Sequence, residues 1–126
     1  MSVAANVVRE LYIGLMSGTS LDGVDGALVE FSSGETRLLA TAHIDFPAEI
    51  KAAALALLNS GADELHRSAL LAQRLAQRYA ATVTTILTQA DLRPGDILAV
   101  GCHGQTLRHR PADGYTLQAN NPALLA

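Results

Sequence analysis

Apolar and polar positions along the chain predict a β-rich segment, two helices and then another strand. Strand-forming residues are concentrated in three runs, 7–16, 24–31 and 36–44, which short polar stretches separate. Because these connections are too short for a helical crossover, we expect the three strands to form an antiparallel meander.

Two helical segments follow the predicted meander. Pro47 is expected to open the first, since a proline in the first turn loses no hydrogen bond, and Asn59-Ser60-Gly61 ends it. The second is longer, and apolar residues at alternating spacings of four and three predict one core-facing stripe along it. The stripe comprises Leu65, Ala69, Ala72, Ala76, Tyr79, Val83, Ile86 and Ala90.

A turn at 93–96 is expected to end the second helix, and the wholly apolar run 97–102 then predicts a buried parallel strand. A polar segment, 103–111, follows this strand directly and is interpreted as a loop. Ligands of open α/β sheets bind beyond the carboxyl ends of the strands, so a site is expected in this loop.

The polar segment between the first two strands is typical of a phosphate-binding turn. Gly18 lets an anion approach the backbone amides, while Thr19 and Ser20 add hydroxyl donors. Asp22 and Asp25 would repel a polyphosphate unless a divalent cation intervened, which favours a nucleotide site with magnesium. Residue types alone predict an ordinary hairpin turn equally well, and the segment is not a Walker loop.

The second polar segment suits a polar, anionic small molecule. Gln105 and Thr106 can donate to and accept from sugar hydroxyls, while Arg108 and Arg110 can bind a carboxylate or phosphate. The alternative is a solvated surface turn. The predicted buried strand just before the segment weakens this alternative, which stays open.

Two other chemistries are disfavoured. His103 and His109 have the spacing of no common metal-ligand pattern, and no third ligand is evident. A serine hydrolase built on Ser20 would need a glycine where Asp22 stands.

Composition narrows the class of protein. The chain has 126 residues, 49% of them apolar, a net charge of −3 and only nine Lys plus Arg, which argues against a nucleic-acid surface. A single cysteine, Cys102, excludes an internal disulfide and fits a reducing compartment. No signal peptide and no bilayer-spanning run is recognised, so a soluble cytoplasmic protein without membrane partners is expected. The final residues, NPALLA, are typical of a beginning helix and suggest a fragment.

Three ordered motifs, MSGTSLDGVD, GCHGQTLRHRP and LQANNPALLA, closely resemble those of the bacterial anhydro-N-acetylmuramic acid kinases. The resemblance covers essentially the whole chain. It implies an α/β fold of the ribonuclease H-like, actin-like ATPase type, with the three-stranded meander, two or more helices and further parallel strands. Residues 1–126 would be the N-terminal lobe of a two-lobed sugar kinase about three times longer.

The implied activity is phosphorylation of 1,6-anhydro-N-acetylmuramic acid at O6 by ATP, with hydrolytic opening of the anhydro ring, in cell-wall recycling. The cofactors would be ATP and Mg²⁺, and the full-length protein could form a homodimer. The residues that match the family's ATP-phosphate motif are Gly18, Thr19, Ser20, Leu21, Asp22, Gly23, Val24 and Asp25. Those assigned to the sugar side are His103, Gly104, Gln105, Thr106, Arg108 and Arg110.

The chain departs from the family and superfamily pattern in two respects. Met16 stands where the superfamily has a magnesium-contacting aspartate, so metal binding would fall to Asp22, Asp25 or residues outside the chain. Ala119 and Asn120 replace the usual isoleucine and glycine, and asparagine is expected to tolerate a left-handed backbone there.

The catalytic base is expected outside this chain, so no residue here is assigned that role and the fragment alone is predicted to be inactive. An assembly protein of the actin or Hsp70 type that uses ATP only to change shape is the alternative. The arginine-rich segment 108–110 favours the kinase, because a small-substrate pocket needs it and a filament former does not.

Overall fold

The computed structural model describes residues 9–126 and has six strands and three α-helices. In chain order they are β1 (Glu10–Met16), β2 (Gly23–Ser32), β3 (Glu35–Asp45), α1 (Ala48–Leu57), α2 (Glu64–Ala90), β4 (Ala99–Cys102), β5 (Gln105–Arg110), β6 (Tyr115–Ala119) and α3 (Pro122–Leu125).

The predicted antiparallel meander is confirmed. β1 pairs with β2 and β2 with β3, both antiparallel, and the four-stranded sheet has the order β3-β2-β1-β4. Ser33 and Gly34 connect β2 to β3, and φ is positive at both positions. Two-residue hairpin turns favour positive φ because it matches the right-handed twist of the flanking strands. Val7 and Val8, predicted as the start of the first strand, lie outside the described residues.

One face of the sheet packs against the helices and forms the core. Leu11, Ile13 and Leu15 of β1 alternate inward, as a half-buried strand requires. At Gly26 in β2 an added Cβ would lie 2.7 Å from both Ile86 Cδ1 and Thr82 Cγ2. The glycine therefore allows α2 to approach the sheet closely.

The helices begin and end close to the predicted positions, but the predicted stripe of α2 is wrong at its start. Leu65 is 89% exposed and Ala69 is also exposed. The residues of α2 that are buried are Leu71, Ala72, Leu75, Ala76, Tyr79, Thr82, Ile86 and Leu87. The buried residues of α2 begin at Leu71, so the first turns of the helix are not packed in the core. The spacing of apolar residues alone could not show where packing against the core begins.

β4 is parallel to β1, as predicted, with Tyr12 opposite Ala99 and Leu15 opposite Cys102. The prediction that this run is buried is wrong, because three of its four residues are exposed. β4 is one of the two edge strands of the sheet in residues 9–126, and its outer side has no neighbouring strand there. An apolar run indicates a strand, but it does not show whether the strand has a neighbour on both sides.

The segment predicted as a loop after β4 is also a strand. β5 pairs with β6 in a separate antiparallel two-stranded sheet, which places Gln105 opposite Ala119 and Arg110 opposite Tyr115. The partner strand lies downstream, so local composition could not reveal the pairing. The architecture is mixed α/β, with a mostly antiparallel sheet that includes one parallel pair.

Candidate functional site

The connection between β1 and β2 is a tight turn that exposes its polar side chains. The Leu21 amide donates to the Gly18 carbonyl across 3.2 Å, and Leu21 has a left-handed backbone with φ of 56°. Such a backbone is uncommon for a non-glycine residue, and burial of the Leu21 side chain to 2% exposure holds it in place. Thr19, Ser20 and Asp22 are exposed. The turn therefore presents two hydroxyls and a carboxylate on a backbone anchored in the core.

The predicted phosphate segment 18–25 is divided between this turn and strand β2. Val24 is fully buried, and at Gly23 an added Cβ would lie 2.2 Å from the Ile44 carbonyl oxygen. Packing of β2 against β3 and the core thus accounts for these two residues. Their side-chain positions offer nothing to a ligand, and a role through their backbone stays a prediction.

Asp25 lies in β2 on the face of the sheet that the helices leave open. Its Oδ1 is 2.7 Å from Nδ1 of His43 on β3, while Nε2 of His43 is 3.0 Å from Oδ1 of Asp45. We call these three residues the exposed cluster. The hydrogen bond to Asp25, followed by that to Asp45, raises the pKa of His43 above its usual 6.5.

The carboxylates predicted to hold a metal ion do not form a complete protein site. Within residues 9–126, no group of three or more His, Cys, Asp or Glu side chains could hold a metal ion. Met16 is 53% exposed on the open sheet face and lies opposite Asp25 in the β1–β2 pairing. A carboxylate is therefore present on the strand next to the one that carries Met16.

The second motif begins where β4 ends and the chain turns into β5. The His103 amide donates to the Leu15 carbonyl across 3.2 Å, which continues the pairing with β1. Gly104 has φ of +82°, and an added Cβ would lie 2.6 Å from the Ala119 carbonyl oxygen. Both the backbone angle and the close approach require glycine at this position.

Two hydrogen bonds join the first motif to the second, and a third joins the first motif to α2. Ser17 Oγ lies 2.9 Å from the Tyr79 hydroxyl and 3.3 Å from the Gly104 carbonyl oxygen. Gln105 Nε2 donates to the Gly18 carbonyl across 3.2 Å. We call Ser17, Tyr79, Gly104 and Gln105 the loop junction. It brings the β1–β2 turn, predicted to bind phosphate, and the start of β5 to the same end of the sheet.

Ser17 and Tyr79 are members of the site that the sequence patterns do not indicate. Tyr79 is buried in α2, as its place in the predicted stripe requires, but its spacing does not reveal what its hydroxyl contacts. A tyrosine in the middle of an apolar helix face is the available signal, because a buried hydroxyl needs a hydrogen-bond partner. Desolvation raises the pKa of Tyr79 to about 12, although its hydrogen bond with Ser17 opposes the rise.

The two arginines predicted for the sugar side have different surroundings. Arg108 is 18% exposed and forms an ion pair through Nη2 with Glu64 in the first turn of α2. Arg110 is 56% exposed and lies 3.7 Å from Asp113. The Arg108 guanidinium therefore has a structural partner, whereas Arg110 is the more accessible cation.

The other predicted sugar-side residues also differ in exposure. Gln105 is only 1% exposed and is part of the loop junction, whereas His103 is exposed and Thr106 half-buried. Asn120, expected to tolerate a left-handed backbone, does not adopt a positive φ. Its Nδ2 donates to the Cys102 carbonyl across 3.1 Å, which fastens the end of β6 to the end of β4.

Known proteins match the chain over almost its whole length. The family model described as anhydro-N-acetylmuramic acid kinase matches residues 10–126. The anhydro-N-acetylmuramic acid kinase of Bordetella pertussis is 53% identical over 121 residues, which cover 96% of this chain and 32% of that protein. For the kinases of Bordetella petrii and Thiobacillus denitrificans the identities are 57% and 51%, over 92% and 100% of this chain and 31% and 34% of those proteins.

These matches define a sugar kinase family as the class to which the chain is related. The chain belongs to the anhydro-N-acetylmuramic acid kinase family, as its three motifs predicted. It spans about a third of the length of the curated relatives it matches. In residues 9–126, none of the helices has the length and apolar character needed to cross a membrane.

Proposed function

We propose that residues 1–126 are the N-terminal lobe of a two-lobed, ATP-dependent kinase of 1,6-anhydro-N-acetylmuramic acid. The loop junction is the observation that carries the proposal. Ser17 and Gly104 lie 87 positions apart in the sequence, yet they join the phosphate turn to the second motif at one end of the sheet. Membership of the kinase family favours this function over an actin-like or Hsp70-like assembly protein.

The proposed reaction transfers the γ-phosphoryl group of ATP to O6 of the sugar while water opens the anhydro ring. The product would be N-acetylmuramate 6-phosphate, an intermediate of cell-wall recycling. A ribonuclease H-like fold is proposed for the lobe, supported by the three-stranded meander and by the parallel pairing of β4 with β1 after α2.

The phosphate turn supplies positioning and charge stabilisation, which dominate phosphoryl transfer. The hydroxyls of Thr19 and Ser20 are exposed and can donate to phosphate oxygens, while the buried Leu21 holds the turn in one conformation. The turn is thereby preorganised, so little conformational entropy would be lost when phosphate binds.

Magnesium fits this turn as a partly hydrated ion. Mg²⁺ is usually held by one or two carboxylates together with phosphate oxygens and water, and Asp22 is an exposed carboxylate in the turn. Asp25 lies directly opposite Met16 in the β1–β2 pairing but is engaged with His43, so it would act as a second or water-mediated ligand. When bound, the ion would neutralise charge on the transferred phosphoryl group.

The sugar side would be read by the accessible residues of the second motif. Arg110 is the better candidate for the lactyl carboxylate of the muramic acid, because Arg108 is paired with Glu64. His103 and Thr106 retain exposed surface for sugar hydroxyls, whereas Gln105 would act on the substrate only indirectly, through Gly18.

The test uses a complete protein of the relatives' length that carries this chain, with ATP, magnesium and 1,6-anhydro-N-acetylmuramic acid. We expect N-acetylmuramate 6-phosphate to form in multiple turnovers. The 126-residue chain alone is the matched control and should give no product above the blank, since the base and second lobe are expected elsewhere. No product from the complete protein would refute the function. Multiple turnover by the isolated chain would refute the proposal that residues 1–126 supply only one lobe of the active site.

A further inference from the structure

Tyr79 connects the core helix α2 to both loops of the candidate site through one serine. Its side chain is fully buried, and its hydroxyl lies 2.9 Å from Ser17 Oγ. Ser17 directly precedes the phosphate turn, is 3% exposed and lies 3.3 Å from the carbonyl oxygen of Gly104. Tyr79 itself is a core residue, so this contact anchors the two loops to the rigid part of the fold.

The direction of these hydrogen bonds follows from the groups involved. The Gly104 carbonyl can only accept, so Ser17 donates its single proton to it. Ser17 Oγ must then accept from Tyr79, which makes the phenol the donor of the chain. Because burial keeps the phenol protonated well beyond neutral pH, this donor does not switch off under working conditions.

Gln105 adds a second connection beside the first. Its Nε2 donates to the Gly18 carbonyl, which also accepts from the amide of Leu21 within the phosphate turn. The second motif therefore holds the same carbonyl that closes the turn. Displacement of Gly104 relative to Ser17 would also displace Gln105, because the two residues are consecutive in the chain.

We propose that Tyr79 is a positioning residue for phosphoryl transfer, which acts through Ser17 and Gly104 to set the phosphate turn relative to the sugar-side strand β5. The inference rests on the proposed function and adds a residue outside both motifs. Transfer depends on the relative placement of the phosphate and the acceptor, so a small displacement between the two loops lowers the rate of the chemical step. Tyr79 touches neither substrate in this scheme.

The test compares Tyr79→Phe with Tyr12→Phe in the complete protein. Tyr79→Phe removes only the hydroxyl and leaves Ser17 Oγ without its donor. Tyr12 is a matched control, since its hydroxyl is exposed and lies 3.4 Å from Glu10 Oε2, away from the junction. For Tyr79→Phe we expect kcat per folded molecule to fall about tenfold while KM for the sugar stays within about twofold. Tyr12→Phe should keep the wild-type kcat.

Backbone amide exchange of the ligand-free protein provides a readout that does not depend on catalysis. Exchange should accelerate in segments 18–22 and 103–106 of Tyr79→Phe and stay unchanged in Tyr12→Phe. If Tyr79→Phe does not fold, Ser17→Ala removes the same contacts from the loop side and should give the same two effects. In the double variant the losses should not add, because both changes break one hydrogen-bond chain.

The outcomes separate the inference from the proposed function. An active wild-type protein whose Tyr79→Phe and Ser17→Ala variants keep the wild-type kcat and exchange would overturn the positioning role alone. Loss of stability in Tyr79→Phe with an unchanged kcat per folded molecule would also overturn it, since that is a purely structural effect. A wild-type complete protein that makes no product would overturn the function on which the inference rests.

Discussion

The loop junction and the exposed cluster are both polar and both contain residues next to the β1–β2 connection, but they differ in their access to water. Ser17 and Gln105 are 3% and 1% exposed, whereas the side chains of Asp25 and Asp45 are 76% and 89% exposed. In the junction, removal of one partner leaves the other desolvated and unpaired. In the cluster, water replaces a lost partner, so each contact contributes little to stability.

Buried and exposed polar residues have different roles in this candidate site. The buried group holds the loops in register, and its members are expected to change rate or stability without contacting a ligand. Exposed residues such as Asp22 and Arg110 can contact a ligand but contribute little to the fold. The distinction would fail if substitutions of exposed residues destabilised the fold, or if substitutions of buried residues had no effect on rate or stability. The four predictions that follow test it.

The largest effect is expected at Gly104, the backbone member of the junction. Gly104→Ala would place a Cβ 2.6 Å from a carbonyl oxygen at a residue with φ of +82°, so the free energy of unfolding should fall by about 2–4 kcal/mol. Gly101→Ala is the control, because no heavy atom lies within 4 Å of its added Cβ, and it should stay within about 0.5 kcal/mol. Urea denaturation measures both, and equal losses would contradict the assignment.

Asp22 tests the exposed side of the comparison. Asp22→Asn should lower kcat about tenfold or more at saturating magnesium while KM for the sugar changes little, because its charge matters most in the transition state. Asp25→Asn should act in the same direction. Asp45→Asn is the control for Asp25→Asn, since Asp45 also contacts His43 but lies outside the predicted phosphate segment. Wild-type kcat in both Asp22 and Asp25 variants would remove the chemical support for this segment.

The two arginines extend the comparison to the sugar side. An arginine–carboxylate contact is worth about 1.5–3 kcal/mol, so Arg110→Ala should lower kcat/KM for the anhydro-muramic acid roughly ten- to a hundredfold. Activity toward an anhydro-sugar without the lactyl group should hardly change. Arg108→Ala, which breaks the ion pair with Glu64, should affect both sugars alike. Equal losses on both sugars for Arg110→Ala would place the selectivity elsewhere in the protein.

The smallest effect is expected from titration of the exposed cluster. The pKa of His43 is raised in the folded protein, so protonation stabilises the fold and this contribution is complete below the unfolded pKa of about 6.5. It should be lost as the pH rises from there through the folded pKa. The free energy of unfolding measured across this range should decline slightly in the wild type and stay level in His43→Gln. A decline of the same size in His43→Gln would assign the titration to another group.

Local patterns in the sequence were sufficient for most of the fold. Runs of strand-forming residues at 7–16, 24–31 and 36–44, short polar connections and Pro47 predicted the meander and the beginning of α1, because these features depend on neighbouring residues. The burial of β4, the start of the α2 stripe and the strand β5 were predicted wrongly. Each of these depends on which distant segment covers or pairs with the residues concerned.

By itself, the sequence determined the family, the order of the strands in the meander and the two polar motifs, because each of these depends on short local stretches of residues. Only the tertiary structure decided which of those polar residues are buried and which are open to a ligand. It pairs Arg108 with Glu64, 44 positions away, and places Tyr79 against Ser17, 62 positions away. Such contacts form when α2 packs on the sheet, and no local pattern of residue types specifies them.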